Sequence, residues 1–138
     1  MFGQEIFEST AQEPLTPTPE TVALRDETRR LARASIDEVL AANDLDAIVA
    51  PTNSAAWKTT YPKTDGEGDQ FLFGSSGPAA VAGYPNVTVP AGYVGPLPIG
   101  LSFFGTRWDE ADLLSYAYDF EDETQARVRP RFLLTIKE

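Results

Sequence analysis

The longest periodic pattern of hydrophobic and polar positions in this chain runs from Pro19 to Ala42. Apolar and small residues recur there at steps of three and four, as on one side of an amphipathic helix. Thr18 has the side chain of an N-cap, and Pro19 suits the first helical position. We therefore predict a long helix whose apolar stripe docks on a sheet. The stripe consists of Leu24, Thr28, Leu31, Ala32, Ser35, Ile36, Val39 and Leu40.

Short apolar runs after this helix predict strands. Residues 45–50 (LDAIVA) form one such run, which Pro51 is expected to stop. Two others, 86–89 and 99–104, flank the Pro90-Ala91-Gly92 sequence, so we predict a hairpin joined through that proline- and glycine-rich connection. The run 99–104 is apolar apart from one glycine and one serine, which is typical of a strand covered on both faces. The pattern favours an α/β fold with a mixed sheet over a one-sided β-sandwich.

Three shorter helical segments complete the prediction. They are residues 2–11, a single turn at 78–82, and a last helix over 110–124 with Asp109 as its cap. In the last helix the residues expected to face inward are Leu113, Leu114, Ala117, Tyr118 and Phe120. The intervening residues 52–77 are polar and read as one long loop, and such loops are usually functional or ordered by a partner. We treat 1–138 as a single segment, with 1–16 as an extension or short helix and 17–138 as the α/β body.

Charge and composition narrow the classes of partner. The 138 residues carry 21 acids against 11 bases, a net charge of −10, which repels phosphate backbones and anionic membrane surfaces. Nucleic acid and membrane are therefore not expected partners. No apolar run approaches the roughly 18 residues of a membrane span. The first residues are acidic where a signal peptide would be basic and then apolar, which favours a cytoplasmic location.

The absence of histidine and cysteine restricts the available chemistry. Neither a Ser-His-Asp nor a Cys-His arrangement can be assembled, and neither can the usual zinc site. No cofactor or metal is expected. A serine activated by lysine remains open, and Ser54 with Lys58 has helical spacing. Because Pro62 follows closely and opposes a helix, solvated loop residues are the favoured interpretation of this pair.

Three further features have a plain structural interpretation beside a functional one. The segment Gly74-Ser-Ser-Gly77 is read as a flexible lead-in or helix N-cap, although its small residues could line a cleft. Three acids at alternate positions are interpreted as a solvated turn, because the later glutamate of a calcium loop does not follow them. Two tryptophans are assigned to a core or an interface rather than to ligand stacking. The acids are Asp65, Glu67 and Asp69, and the tryptophans are Trp57 and Trp108.

One block of sequence is the most specific. Residues 80–105 read AVAGYPNVTVPAGYVGPLPIGLSFFG, with Gly-Tyr-Pro, Val-Pro-Ala-Gly, Leu-Pro-Ile-Gly and a strand ending in glycine. This order resembles the carboxyl-terminal segment of the amidase signature family. Other segments occur in the family's order, and some of them are most similar to the peptide-amidase branch. The segments that occur in the family's order are residues 2–7, 45–52 and 108–110. Those most similar to the peptide-amidase branch are residues 51–53, 78–85 and 101–105.

The resemblance implies hydrolysis of a carboxamide through an acyl-enzyme, with a serine nucleophile, a second serine in a cis peptide linkage and a lysine. None of these positions lies in the part of the family that this chain resembles, so no residue here is assigned as catalytic. We therefore expect the carboxyl-terminal part of an amidase, without activity alone, whose intact form takes a small-molecule or peptide amide. Ligands of α/β folds gather beyond strand ends, which makes Thr52, Asn53 and Trp57 the predicted pocket wall.

Two other functions stay open. An amidase-derived scaffold without catalysis would act as an interaction module, forming a homo-oligomer through uncovered sheet edges. A complete small enzyme with new catalytic residues is the third hypothesis, and hydrolysis of a simple amide by the purified chain would support it.

Overall fold

The structure is a computed structural model that describes residues 3–56, 74–130 and 132. Its helices are α1 (Glu5–Gln12), α2 (Pro19–Asn43), α3 (Ser76–Ala82) and α4 (Glu110–Thr124), and its strands are β1 (Ile48–Pro51), β2 (Asn86–Val94) and β3 (Leu97–Phe104). The α/β class is confirmed, and the predicted helices lie where the pattern put them to within a few residues.

The ends of the long helix α2 follow from local chemistry. The Thr18 hydroxyl accepts a hydrogen bond from the Thr21 N–H at 3.2 Å, so Thr18 is the N-cap, as predicted. At the other end Asp44 adopts the left-handed conformation with φ of 51° and terminates the helix after Asn43. Asp109 precedes α4 as predicted, but its carboxylate accepts from the Thr106 N–H and hydroxyl instead of from the helix.

The three strands form one antiparallel sheet in the order β1-β3-β2. Ser102 of the central strand β3 lies opposite Ala50 of β1 and Thr88 of β2. The expected mixed sheet is not found in the part of the chain that the structure describes, where both strand pairs are antiparallel. Strand β1 includes Pro51 rather than ending before it, because at this position the strand pairs with Leu101 at the end of an edge strand.

The predicted hairpin is confirmed, but its turn was misplaced. Strand β2 continues through Pro90 to Val94, and the chain reverses at Gly95, whose φ is 58°. The register shifts between Pro90 and Gly92, which marks a β-bulge inside the strand. An edge strand tolerates a proline at a bulge because no neighbouring strand needs the missing N–H there. The proline- and glycine-rich sequence therefore bends β2 instead of connecting two strands.

Both faces of the sheet are covered, as the apolar run 99–104 predicted. Phe104 packs with α2 and α3 on one face, while its neighbour Phe103 packs with α4 on the other. Successive strand residues point to opposite faces, so Phe103 and Phe104 pack into two different cores. The first core contains Ile36, Leu40, Ala79, Ala82 and Phe104, and the second contains Val89, Phe103, Leu113 and Ala117.

The apolar stripe of α2 is only partly buried, which corrects the prediction. Ile36 and Leu40 lie in the core, but Leu24, Leu31 and Val39 are 69%, 54% and 45% exposed. Helix α2 has 25 residues whereas α3, its main neighbour, has seven. A helix so much longer than its neighbour cannot bury its whole apolar surface within the described residues.

The carboxyl-terminal helix and its entrance show a similar correction. Leu113 and Ala117 of α4 are buried, but Leu114 and Tyr118, predicted to face inward, are exposed. Trp108 is 78% exposed and adopts a left-handed conformation with φ of 75°, so it is not a core residue. The Arg107 guanidinium lies 5.6 Å from the centroid of its ring. Trp57 lies outside the described residues.

Candidate functional site

Three hydroxyl groups meet on the sheet face that carries α2 and α3. They belong to Thr52, directly after β1, to Thr88 of β2 and to Ser102 of β3. Thr52 Oγ1 lies 2.8 Å from Ser102 Oγ and donates to Thr88 Oγ1 at 3.4 Å, while Thr88 Oγ1 and Ser102 Oγ are 3.1 Å apart. Ser102 is fully buried. We call these three side chains the hydroxyl ring, and it satisfies polar groups that burial would otherwise penalise.

Strand register and one glycine make the ring possible. The Thr52 N–H donates to the Gly100 carbonyl at 2.9 Å, which continues the β1–β3 pairing by one residue beyond Pro51. A Cβ atom at Gly100 would lie 2.8 Å from both Thr52 Oγ1 and Thr88 Cγ2. Only glycine therefore lets the two threonines approach each other over the central strand.

The ring also anchors the segment that enters α3. The Ser75 N–H donates to the Thr52 carbonyl at 3.0 Å, with the Ser75 hydroxyl at 3.4 Å from the same oxygen. Asn53 forms an isolated antiparallel bridge with Gly74. The Gly74–Gly77 segment is thus the entrance to α3, as the plain interpretation held, and it lies beside Thr52 and Asn53.

The predicted wall residues have different surroundings. Thr52 is half-buried and held by the hydroxyl ring, whereas Asn53 is exposed. Trp57 and Lys58 lie outside the described residues, so the interpretation of Ser54 and Lys58 as solvated loop residues, rather than a catalytic pair, stays a prediction. The Ser54 hydroxyl oxygen is buried without a hydrogen-bond partner in the described part of the chain.

Sequence reasoning missed the supporting residues Thr88, Gly100 and Ser102. A signal was present, because Gly100 and Ser102 are the two exceptions in an otherwise apolar strand and, two positions apart, share one face. Their partner strand could not be identified before the register was known.

A second polar cluster joins α2 to the start of β2. The Tyr84 hydroxyl donates to Asp37 Oδ2 at 2.8 Å, and the Arg33 Nε donates to the Ala82 carbonyl at 2.8 Å. The Arg33 guanidinium also lies 5.8 Å from the centroid of the Tyr84 ring. Burial, and secondly the hydrogen bond to Asp37, raise the pKa of Tyr84. This cluster fixes helix positions and lies apart from the hydroxyl ring.

The described residues contain neither a candidate metal site nor a candidate membrane span. Among residues 3–56, 74–130 and 132, no three acids are grouped so that they could hold a metal ion. None of the helices in these ranges is long and apolar enough to cross a bilayer. The acids Asp65, Glu67 and Asp69 lie outside these ranges.

The fold and the sequence match known proteins over most of the chain. The family model described as Amidase matches residues 7–114. This chain belongs to the amidase signature family. Among curated amidases, a probable amidase of Arabidopsis thaliana is 32% identical over 133 residues, which cover 96% of this chain.

Solved amidase structures show the same similarity in three dimensions. Peptide amidase PAM, determined in complex with the competitive inhibitor chymostatin, is 44% identical over 95% of this chain with a TM-score of 0.83. The native peptide amidase from Stenotrophomonas maltophilia is 40% identical over 96% of the chain with a TM-score of 0.80. The predicted likeness to peptide amidases is confirmed.

The matched proteins are much longer than this amidase segment. The chain spans 22% of the Arabidopsis protein and 26% of the two peptide amidases. The similarity therefore concerns about a quarter of an amidase fold.

Proposed function

We propose that the chain is the carboxyl-terminal part of a peptide-amidase-like enzyme that hydrolyses carboxamide C–N bonds. The supporting observation is the 44% identity to a peptide amidase over 95% of the chain, at a TM-score of 0.83. The substrate of the intact enzyme is a small-molecule or peptide amide. The serines and lysine of the family's chemistry belong to the rest of the fold, so the isolated chain has no amidase activity.

In this proposal Thr52, Asn53 and Trp57 form part of the pocket wall. The geometry around Thr52 supports its role, because the hydroxyl ring and the Ser75 N–H fix both its side chain and its carbonyl. A wall residue held from several sides keeps its shape when substrate binds, which lowers the entropic cost of binding. The exposed Asn53 amide can both donate and accept, and so can match a carboxamide.

A chimera tests this proposal. The segment of the Stenotrophomonas maltophilia peptide amidase that superposes on this chain is replaced by residues 1–138. We expect the chimera to hydrolyse peptide amides and the isolated chain to hydrolyse none. Asn53→Ala and Trp57→Ala in the chimera should raise KM about tenfold with a smaller change in kcat, as expected when ground-state binding contacts are lost. Gln12→Ala, at an exposed position of α1, is the matched control and should leave both constants unchanged.

Two outcomes would contradict the proposal. A chimera that folds, as judged by cooperative thermal unfolding, yet hydrolyses no amide would remove the assigned function. Hydrolysis by the isolated chain would replace it with the third hypothesis, a complete small enzyme. Unchanged kinetics for both wall variants would remove Asn53 and Trp57 from the site while leaving the function in place.

The exposed apolar residues support the second candidate, an interaction module. Leu24, Leu31, Leu114 and Tyr118 are all more than half exposed. In this alternative the chain forms a discrete homo-oligomer, which light scattering coupled to size exclusion would show as a constant mass across one peak.

A further inference from the structure

One side of α2 carries no charged residue over most of the helix. We define the outer α2 face as Thr21, Leu24, Thr28, Leu31, Ser35, Val39 and Ala42. With about 100° between successive residues, these positions fall in a sector roughly 80° wide and extend for about 30 Å. The charged residues of α2 all lie outside this sector. A stripe of this kind is typical of a helix face that packs against protein.

The outer α2 face is exposed within the part of the chain that the structure describes. Leu24 and Leu31 are 69% and 54% exposed, although the buried Ile36 and Leu40 on the adjacent side already dock the helix to α3 and the sheet. At its amino-terminal half the face adjoins an open groove of about 460 Å³ between α2 and α3, which is lined by Leu24, Thr28, Ala80 and Val81 and also by Arg25 and Arg29. The groove does not include the hydroxyl ring, so this surface is separate from the candidate site.

We infer that the outer α2 face is a docking surface for the remainder of an amidase fold. The chain aligns with peptide amidases over 95% of its own length but over only 26% of theirs, so about three quarters of the matched fold lies outside it. A helix that buries one apolar side and exposes an adjacent uncharged side with Leu24, Leu31 and Val39 is suited to lie between two bodies of protein. One body is present here as α3 and the sheet, and the other is the missing part of the fold.

A second copy of the chain fits this surface less well. Each copy carries a net charge of −10, so two copies facing each other through α2 would repel at low ionic strength. The inference rests on the proposed function only in naming an amidase body as the partner, and it requires docking but no hydrolysis.

Co-expression provides the test. The probe is the Stenotrophomonas maltophilia peptide amidase from which the segment superposing on this chain has been deleted. Tagged residues 1–138 should retain this truncated protein on an affinity resin in a one-to-one ratio. Leu24→Asp and Leu31→Asp should each lower retention about tenfold, as expected for an apolar anchor in an interface. Leu15→Asp, at a fully exposed leucine before α2, is the matched control and should leave retention unchanged.

The outcomes separate docking from catalysis. Retention that each of the two face variants lowers supports the docking surface, and amide hydrolysis by the complex would support the proposed function as well. Retention without hydrolysis keeps the docking surface and counts against the proposed function. Failure to retain the truncated amidase, equal retention by the face variants, or a stable homodimer that these variants dissociate would each overturn the inference. Far-ultraviolet circular dichroism of each variant confirms that α2 remains helical. Leu31→Met keeps an apolar side chain at this position and should retain the truncated amidase as the wild type does.

Discussion

Gly100 is the residue at which we expect the addition of a single methyl group to destabilise the fold most. Its Cα lies between Thr52 and Thr88, and an added methyl group would lie 2.8 Å from atoms of both. Gly100→Ala should therefore destabilise the fold by about 1–3 kcal/mol, because overpacking forces side chains and backbone to shift. Urea unfolding followed by circular dichroism measures this change.

Gly77 is the matched control for that substitution. A Cβ atom at Gly77 would meet no atom within 4 Å, and the residue lies inside α3. Gly77→Ala should stabilise the chain by about 0.5–1 kcal/mol through helix propensity and a less flexible unfolded state. Equal effects at the two glycines would show that the close approach over β3 does not exist.

Ionisation of Tyr84 should lower the stability of the fold at alkaline pH. Burial and the hydrogen bond to Asp37 raise the pKa of Tyr84 above its usual value near 10. A group whose pKa is raised on folding contributes its full stabilisation below the pKa of the unfolded chain and loses it as the pH rises toward the folded pKa. The free energy of unfolding should therefore decline as the pH rises above about 10.

Tyr84→Phe tests this assignment. The variant should lose about 1 kcal/mol at neutral pH with the hydrogen bond to Asp37, and its alkaline decline should be shallower. Tyr118→Phe changes an exposed tyrosine and should preserve the wild-type decline. Chemical unfolding between pH 7 and 11 compares the three proteins. An identical alkaline decline in Tyr84→Phe would contradict the assignment.

At the scale of elements, the start of α2 depends on a single cap. Because the Thr18 hydroxyl accepts from the Thr21 N–H, Thr18→Ala should cost about 0.5–2 kcal/mol. Thr16→Ala, two residues earlier and also exposed, is the control and should cost less. Thermal unfolding measures both. A Thr18→Ala variant as stable as Thr16→Ala would show that α2 does not need its cap.

Helix positions were predictable because their determinants are local. Thr18 and Asp44 mark the ends of α2 through side-chain and backbone chemistry that a few residues contain. The bulge at Pro90 was not predictable, since the same proline- and glycine-rich sequence serves a turn or a bent strand. The difference depends on which strand is at the edge of the sheet. The exposure of Leu31 depends similarly on how much protein is present to cover it.

The candidate site was predictable only in part for the same reason. Thr52 and Asn53 follow a recognisable strand, so strand-end reasoning located them. Ser102 supports Thr52 through a contact across 50 positions of sequence, and only the strand register brings the two together. Spacing along the chain carries no information about such a contact.

At the scale of the whole molecule, net charge should control self-association. With 21 acids and 11 bases, copies of the chain repel over distances comparable to the Debye length, about 10 Å at 0.1 M salt. We expect a monomer at low salt and growing association through exposed apolar residues as salt is added. Sedimentation velocity in dilute and concentrated sodium chloride measures this. A discrete oligomer already present at low salt would favour the interaction module instead.

The hydroxyl ring also limits the hydrogen bonds that Thr52 would make in the proposed pocket wall. If the Thr52 hydroxyl donates to Thr88, the ring closes with Thr88 donating to Ser102 and Ser102 donating to Thr52. Every hydroxyl hydrogen of the ring is then used within it, and each of the three oxygens keeps one free lone pair. With the hydrogens arranged in this way, a substrate at the proposed wall would donate a hydrogen bond to Thr52 and would not accept one from it. An NH₂ group satisfies that requirement, whereas the oxygen of an ester or a carboxylate does not.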